Sequence, residues 1–439
     1  MNVNLFLTNK QEQAFDYLND NITSEVLFGG SAGGGKSFIG CAWLIINCIN
    51  YPGTRWLMGR SKLKALKQTT LNTFFEITSN WGLNNTHYNY NQQSGEITFY
   101  NGSTIILKDL FLYPSDPNFD SLGSLEITGA FIDEVNQISE KAKNIVASRI
   151  RYKLSEYKLI PKLLMTCNPA KNWVYDEFYK KNKNKEIEEY KKFIPALVTD
   201  NPNISEHYIN QLKKLDEISK RRLLYGEWEY EDSEALIKYD DIIDIFKDYE
   251  LEKNIKATHI SCDVARKGKD KAVIMVWSDY KIIKIHTLDI SKINEIVDLI
   301  NDIKREYKLS NRQIVIDGDG VGGGVVDYLN GCVDFLNNGR PMKNENYQNL
   351  KTQCYFKLSE KIKDIEVFNY NIDVKNKLSQ ELQVIKRKNI DKDGKLQIVS
   401  KEEIKEMIGR SPDYSDAMMM RMVFEWKSST ATPFIIGGR

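Results

Sequence analysis

The run Gly30-Ser31-Ala32-Gly33-Gly34-Gly35-Lys36-Ser37 has the spacing of a phosphate-binding loop: a glycine, four intervening residues, then Gly-Lys-Ser. A triphosphate needs inward-turned backbone N–H groups, a helix N-terminus behind them, and a cation and a metal ion on its outer phosphates. Gly33, Gly34 and Gly35 can take positive φ without steric cost and so permit an anion nest. Lys36 then meets the β- and γ-phosphates, and the Ser37 hydroxyl holds Mg2+. The flanks agree. Val26-Leu27-Phe28 predicts a strand entering the loop, and the apolar residues from Phe38 to Ile46 predict a buried helix leaving it.

Hydrolysis requires a second, acidic site on a neighbouring strand. The apolar run Ile127 to Ile132 leads into Asp133-Glu134, where the first acid suits the Mg2+ shell and the second suits polarising the attacking water. A third strand, Lys162 to Met165, ends in Thr166-Cys167-Asn168-Pro169. Asn168 then sits at a strand tip in reach of a γ-phosphate, and Pro169 stops the strand. Ahead of the loop, Gln11 opens a helix with the stripe Ala14, Phe15 and Leu18 and is placed to read the adenine edge of ATP.

A different chemistry is written in the second half. Thr258 to Asp270 and Ala272 to Trp277 predict a hairpin with Asp263 on its first strand; Gln313 to Gly320 predicts a strand ending in Asp317 and Asp319. Asp413 and Asp416 open a last helix through Met418, Met419, Met420 and Met422. Acids from a first strand, a later strand tip and a terminal helix suit a two-metal phosphodiester-cleaving site. There, hard oxygen ligands hold Mg2+ or Mn2+ ions about 3.5–4 Å apart. Asp270 and Asp319 also fit turns, and Asp413 also fits a helix cap. Gly322-Gly323-Gly324 lacks the Lys-Ser ending of a phosphate loop and reads as a tight strand-to-helix turn.

The elements that position these residues belong to a large α/β chain. Its 439 residues suffice for about two or three domains, and 41% hydrophobic with 28% charged residues is ordinary globular composition. A net charge of +1 leaves any polyanion to local patches: Lys62, Lys64 and Lys67; Lys180, Lys181, Lys183 and Lys185; Arg266, Lys267, Lys269 and Lys271; Lys386, Arg387 and Lys388. The group beside Asp263 is the one expected to touch a backbone phosphate, and the last precedes a hairpin turn at Asp391 to Gly394. Six scattered cysteines with no CxxC pair suggest buried thiols in a reducing compartment. The longest apolar run, Phe38 to Ile49, is too short to span a bilayer, so no membrane association and a cytosolic location are expected.

Seven features follow in order: the P-loop, Gly59-Arg60-Ser61-Lys62, Asp133-Glu134, Arg149-Ile150-Arg151, Thr166 to Pro169, Asp200-Asn201-Pro202, and Leu224-Tyr225-Gly226-Glu227-Trp228. This order resembles the large terminase subunit of tailed bacteriophages over nearly the whole chain. The last two motifs carry no chemistry readable from residue type. The resemblance implies a P-loop ATPase domain with a parallel sheet (1–232), a linker (233–252), a ribonuclease-H-like nuclease domain with a mixed sheet (253–428) and a tail (429–439), which is short and is expected either to dock on a portal or to be disordered. It implies ATP-driven translocation of double-stranded DNA into a prohead and cleavage by a two-metal endonuclease with Asp263, Asp317 and Asp413 or Asp416 as ligands. Implied partners are the portal protein, the small terminase subunit and further copies in a ring, within the host cytoplasm and not in the virion. Ser31 and Ala32 stand where many terminases carry a P-loop arginine, so the finger is expected from elsewhere in the chain, with Arg60, Arg149 and Arg151 as candidates, or from a neighbouring subunit. The rival readings are a helicase or repair ATPase fused to a nuclease, and a P-loop protein whose C-terminal domain only binds nucleic acid.

Overall fold

In a computed structural model the run Val26-Leu27-Phe28 lies in strand β1 (Glu25–Gly30) and is buried, as a central parallel strand with both faces covered must be. The structure describes residues 6–426 apart from 114, 117, 233, 253, 265–270, 289–291 and 389–393. The chain divides into two units, Met1–Glu231 and Asp232–Arg439.

The first unit is built on an eight-stranded sheet. With β1 it contains β2 (Arg55–Arg60), β3 (Tyr88–Asn91), β4 (Glu96–Phe99), β5 (Thr104–Asp109), β6 (Gly129–Ile132), β7 (Lys162–Cys167) and β8 (Lys191–Ala196). Their order is β3-β4-β5-β2-β6-β7-β1-β8. The six strands from β5 to β8 run parallel, and β3 and β4 extend one edge as an antiparallel hairpin. Helix α1 (Asn9–Asn19) precedes β1, and α2 (Lys36–Asn50) follows the glycine loop. Helix α2 buries Ile39, Cys41, Ala42, Trp43, Leu44 and Ile45, wider than one stripe, because it lies between the sheet and the helix Thr70–Asn80. Parallel strands deliver their C-terminal ends to one edge. There β7 lies between β6 and β1, so the tip residues following Ile132 and Cys167 are brought to the glycine loop.

The second unit holds a six-stranded mixed sheet of β9 (His259–Asp263), β10 (Ala272–Ser278), β11 (Lys281–Leu288), β12 (Ile314–Asp317), β13 (Val333–Phe335) and β14 (Glu366–Val367), in the order β13-β12-β9-β10-β11-β14. Strands β9 and β10 form the expected antiparallel pair, and β12 joins β9 in parallel. Alternation along β10 separates two cores. Ile274 and Val276 pack with the stripe Ile296, Ile300 and Ile303 of a helix spanning Ile293–Tyr307, while Val273, Met275 and Trp277 face the other layer of helices. That layer includes α3 (Tyr239–Asp244), α4 (Leu350–Lys361), α5 (Ile372–Gln383) and α6 (Asp413–Met420). Strands β15 (Arg387–Lys388) and β16 (Gln397–Ile398) pair as the expected hairpin, whose turn lies outside the described residues apart from Gly394.

The stretch 233–252 is not the linker expected from its acidity. Leu236, Ile237, Ile242, Ile245 and Phe246 enter the second core, and the acids misled because Asp240 and Asp244 occupy the exposed side of α3. The tail expected at 429–439 lies outside the described residues. Five cysteines are buried, Cys332 is half-buried, and none is in a disulfide. Among the described residues no helix is long and apolar enough to cross a membrane.

Candidate functional site

The phosphate loop is shaped by backbone. Gly33 and Gly35 sit at φ +77° and +75°, and Gly35 caps α2. At Gly30 a Cβ would lie 1.9 Å from the Ala196 carbonyl oxygen, so only glycine lets β1 turn there beside β8. The loop is braced from later in the chain. Ser31 N donates to Ala196 O and Ala32 N to Leu223 O, each at 2.8 Å, and Asn201 Nδ2 donates to Gly33 O at 2.8 Å. The Asp200 to Pro202 and Leu224 to Trp228 motifs thus acquire a physical role that residue type alone did not reveal: they adjoin the residues that hold the cradle.

Lys36 folds back onto its own loop, donating to the carbonyls of Ser31 and, at 3.4 Å, of Gly30. Burial pushes its pKa down, and the acids Glu134 and Asp133 act in the opposite direction. Asp133 gathers the site. Its Oδ2 accepts from Ser37 Oγ at 3.2 Å and Thr70 Oγ1 at 2.6 Å, its Oδ1 accepts from Thr166 Oγ1 at 2.6 Å, and Arg60 Nη1 lies 3.8 Å away. Glu134 follows in the left-handed region at φ +53°, and Asn168 Nδ2 donates to its Oε1 at 3.4 Å. Burial, then Asp133, raises the Glu134 pKa, while Arg60, Lys36 and Arg222 lower it. Ser31 Oγ and Asn168 Oδ1 are buried with no hydrogen-bond partner: the hydroxyl could donate to a phosphate oxygen, and the amide oxygen could accept from a water of the metal shell. Ser37 and Asp133 already touch, as the hydroxyl and carboxylate of an Mg2+ site require.

Gln11 lies at the loop: its Nε2 donates to Gly35 O at 3.1 Å and its Oε1 accepts from Thr8 N at 3.0 Å in a capping box. Of the three candidate arginines only Arg60 reaches the site. Arg149 Nη1 is spent on Gly123 O at 2.9 Å, and Arg151 forms an exposed pair with Glu126 at 3.2 Å. Sequence reading missed Arg222, whose Nε donates to Pro169 O at 3.0 Å and whose guanidinium lies 5.2 Å from the Tyr230 ring centroid. Nothing in Lys220-Arg221-Arg222 singles out the third residue.

In the second unit the acids converge. Cys262 pairs with Ile316, so Asp263 and Asp317 leave adjacent parallel strands side by side, and α6 presents Asp413 and Asp416 three residues apart on one helix face. All four are buried. Burial first, then Asp413, Asp416 and Asp317, pushes the Asp263 carboxyl well above its ordinary range, with Lys401 opposing. Burial likewise raises Asp317. Both Asp413 and Asp416 belong to the cluster. Asp413 Oδ2 accepts from Lys271 N at 3.1 Å, and Asp416 is held by Lys351 Nζ and Tyr355 OH, each at 2.7 Å. Asp317 Oδ1 accepts from Asn337 Nδ2 and Asp319 N at 3.1 Å, while Asp319 Oδ2 takes Asn337 N at 3.0 Å and so ties the loop.

An all-carboxylate donor set suits Mg2+ or Mn2+. Among the described residues, however, no group of three or more His, Cys, Asp or Glu stands ready around a metal position. Crowded carboxylates repel, and Asp413 and Asp416 are offset by backbone, lysine and tyrosine partners. Lys351, Tyr355, Asn337 and Lys401 had no signal of their own in the sequence. Asp270 and Arg266 to Lys269 lie outside the described residues. Several expected basic patches are neutralised locally: Lys181 by Glu177 and Glu188, Lys183 by Glu229, Lys386 by Asp232 and Lys388 by Glu403.

A parallel-sheet unit with a P-loop and a mixed-sheet unit with a buried carboxylate cluster make up an α/β chain with two candidate sites. Residues 21–227, just under half the chain, match the family described as phage terminase large subunit. Among solved structures, the large terminase from a thermophilic bacteriophage is 13% identical, covering 94% of this chain and 98% of that one with a TM-score of 0.44. The large terminase of bacteriophage HK97 is 11% identical, with 95% of each chain covered and a TM-score of 0.47. The nuclease domain of the large terminase subunit gp2 of bacterial virus Sf6 is 22% identical over 43% of this chain and 98% of that one, with a TM-score of 0.36. No curated protein matches the chain.

Proposed function

We propose that this chain is the motor and nuclease of a DNA-packaging machine, hydrolysing ATP to drive double-stranded DNA into a prohead and cutting the DNA with a metal-dependent endonuclease. The observation that carries the motor reading is Asp133, which touches Ser37 of the loop while the next residue, Glu134, is half-buried beside Asn168. The loop N–H groups bind the β- and γ-phosphates, and Lys36 exchanges the Ser31 and Gly30 carbonyls for phosphate oxygens. Ser37 and Asp133 would hold Mg2+, which when bound offsets charge on the phosphates. Glu134 takes a proton from the attacking water, Asn168 orients Glu134, and Arg60 with Arg222 supplies from within the chain the positive charge that Ser31 and Ala32 cannot.

In the second unit Asp263, Asp317, Asp413 and Asp416 would hold Mg2+ or Mn2+, which when bound activates water and stabilises the leaving oxygen. Lys351 and Lys401 offset the negative charge of the cluster. Burial of four mutually repelling carboxylates is costly for a purely binding domain, which favours the nuclease over that rival. Double-stranded DNA, a portal protein, a small terminase subunit and further copies of the chain in a ring are the partners of this reading, with the host cytoplasm as its place of work.

The test is DNA packaging. Proheads bearing a portal, given this chain, ATP and linear duplex, should render DNA resistant to added nuclease, and Lys36→Ala should abolish that protection. ATP-dependent separation of the two strands without protection would favour the helicase reading.

A further inference from the structure

Helix α6, which carries Asp413 and Asp416, begins at a residue that cannot cap it. Pro412 occupies the cap position and offers no side-chain acceptor. The missing acceptor comes from another helix: Glu381 of α5 accepts from Ser415 N through Oε2 at 2.7 Å, at the third residue of α6. Glu381 is fully buried, and its Oε1 is paired with Arg410 Nη1. Arg410 is itself fixed, with Nη2 donating to Lys377 O and Gln380 Oε1 at 3.2 Å and Nη1 to Ser411 O at 3.3 Å. Asp413 is thereby relieved of capping. Its Oδ2 instead receives Lys271 N, beside the tip of β9.

Resting on the nuclease reading above, we infer that Glu381, braced by Arg410, is the positioning residue of the carboxylate cluster: it caps α6 from outside so that Asp413 and Asp416 face Asp263. The bare pair is a poor route to stability, since a buried ion pair contributes little net compared with apolar packing. Its geometric product is the orientation of a helix that carries two of the four acids. Partners that orient metal ligands typically change metal affinity by about 10- to 100-fold when lost.

The experiment is Mn2+ binding to the full chain without nucleotide, by electron paramagnetic resonance, alongside thermal unfolding. Wild type should bind Mn2+ in a manner lost in Asp263→Asn; no such binding would overturn the nuclease reading and the inference with it. Glu381→Ala with Arg410→Met removes the cap without stranding a buried charge. It should weaken Mn2+ binding by about 10-fold or more while leaving ATP hydrolysis unchanged. Glu381→Gln with Arg410→Gln keeps an acceptor for Ser415 N and should bind Mn2+ within about 2-fold of wild type. If Mn2+ binding survives in the first double variant while Asp263→Asn still abolishes it, Glu381 is a structural ion-pair partner and the inference fails. Should the first double variant not fold, adding Pro412→Ser must restore folding and Mn2+ affinity together; folding without affinity also overturns it.

Discussion

The phosphate loop and the carboxylate cluster solve opposite electrostatic problems. The loop is made of backbone N–H groups, and glycine geometry and carbonyls from Ala196 and Leu223 hold it. The cluster is made of side chains that repel one another and must be restrained by Lys351, Tyr355, Lys271 N and a cap borrowed from Glu381. A binding site for an anion can be written in one contiguous stretch of sequence. A binding site for cations has to be gathered from distant elements, and its restraints are spread as widely as its ligands.

The sharpest way to separate the two is through Glu134, which works by chemistry and not by shape. Glu134→Gln should lower ATP turnover by about 100-fold or more while nucleotide binding persists, read as steady-state hydrolysis beside equilibrium binding. A smaller effect is expected at the cradle's rear. Arg222→Ala should cost up to about 100-fold in turnover, whereas Arg149→Ala and Arg151→Ala should stay within about 2-fold. Equal losses in all three would return the finger to the sequence candidates.

On the sheet that carries the carboxylates, His259 offers a readout independent of metal. Burial, then Arg421, holds its pKa down at about 4, against 6.5 unfolded. A depressed folded pKa means that stability is present above pH 6.5 and is lost as pH falls toward about 4. The His259 share of the unfolding midpoint should therefore decline through that window, read as the difference between wild type and His259→Phe across pH. The smallest effect belongs to Gln11. As a cap, its replacement by alanine should cost about 1 kcal/mol of stability and leave ATP-over-GTP preference unchanged. A lost preference would restore the adenine-reading role.

The contrast also explains what was legible beforehand. Gly30 to Ser37, Asp133-Glu134 and the four clustered acids were visible because a strand tip or helix start with the right residue type is a local signal. The capping role of Gln11 was hidden, because a capping glutamine and a base-reading glutamine look alike until Gly35 O is in view. The acidic stretch 233–252 was misread because Leu236, Ile242 and Phe246 are too sparse to show a helical stripe among so many exposed acids. Arg222 and Glu381 were invisible, since each acts on a residue dozens of positions away, Pro169 and Ser415, through one hydrogen bond.

Two independent chemistries in one chain is the central claim, and one paired assay tests it most directly. ATP hydrolysis and Mn2+-dependent nicking of a plasmid are measured on the same preparations of wild type, Lys36→Ala and Asp263→Ala. The account predicts that Lys36→Ala loses hydrolysis and keeps nicking, and that Asp263→Ala loses nicking and keeps hydrolysis. Nicking that is undiminished in Asp263→Ala, or hydrolysis that persists in Lys36→Ala, would contradict it.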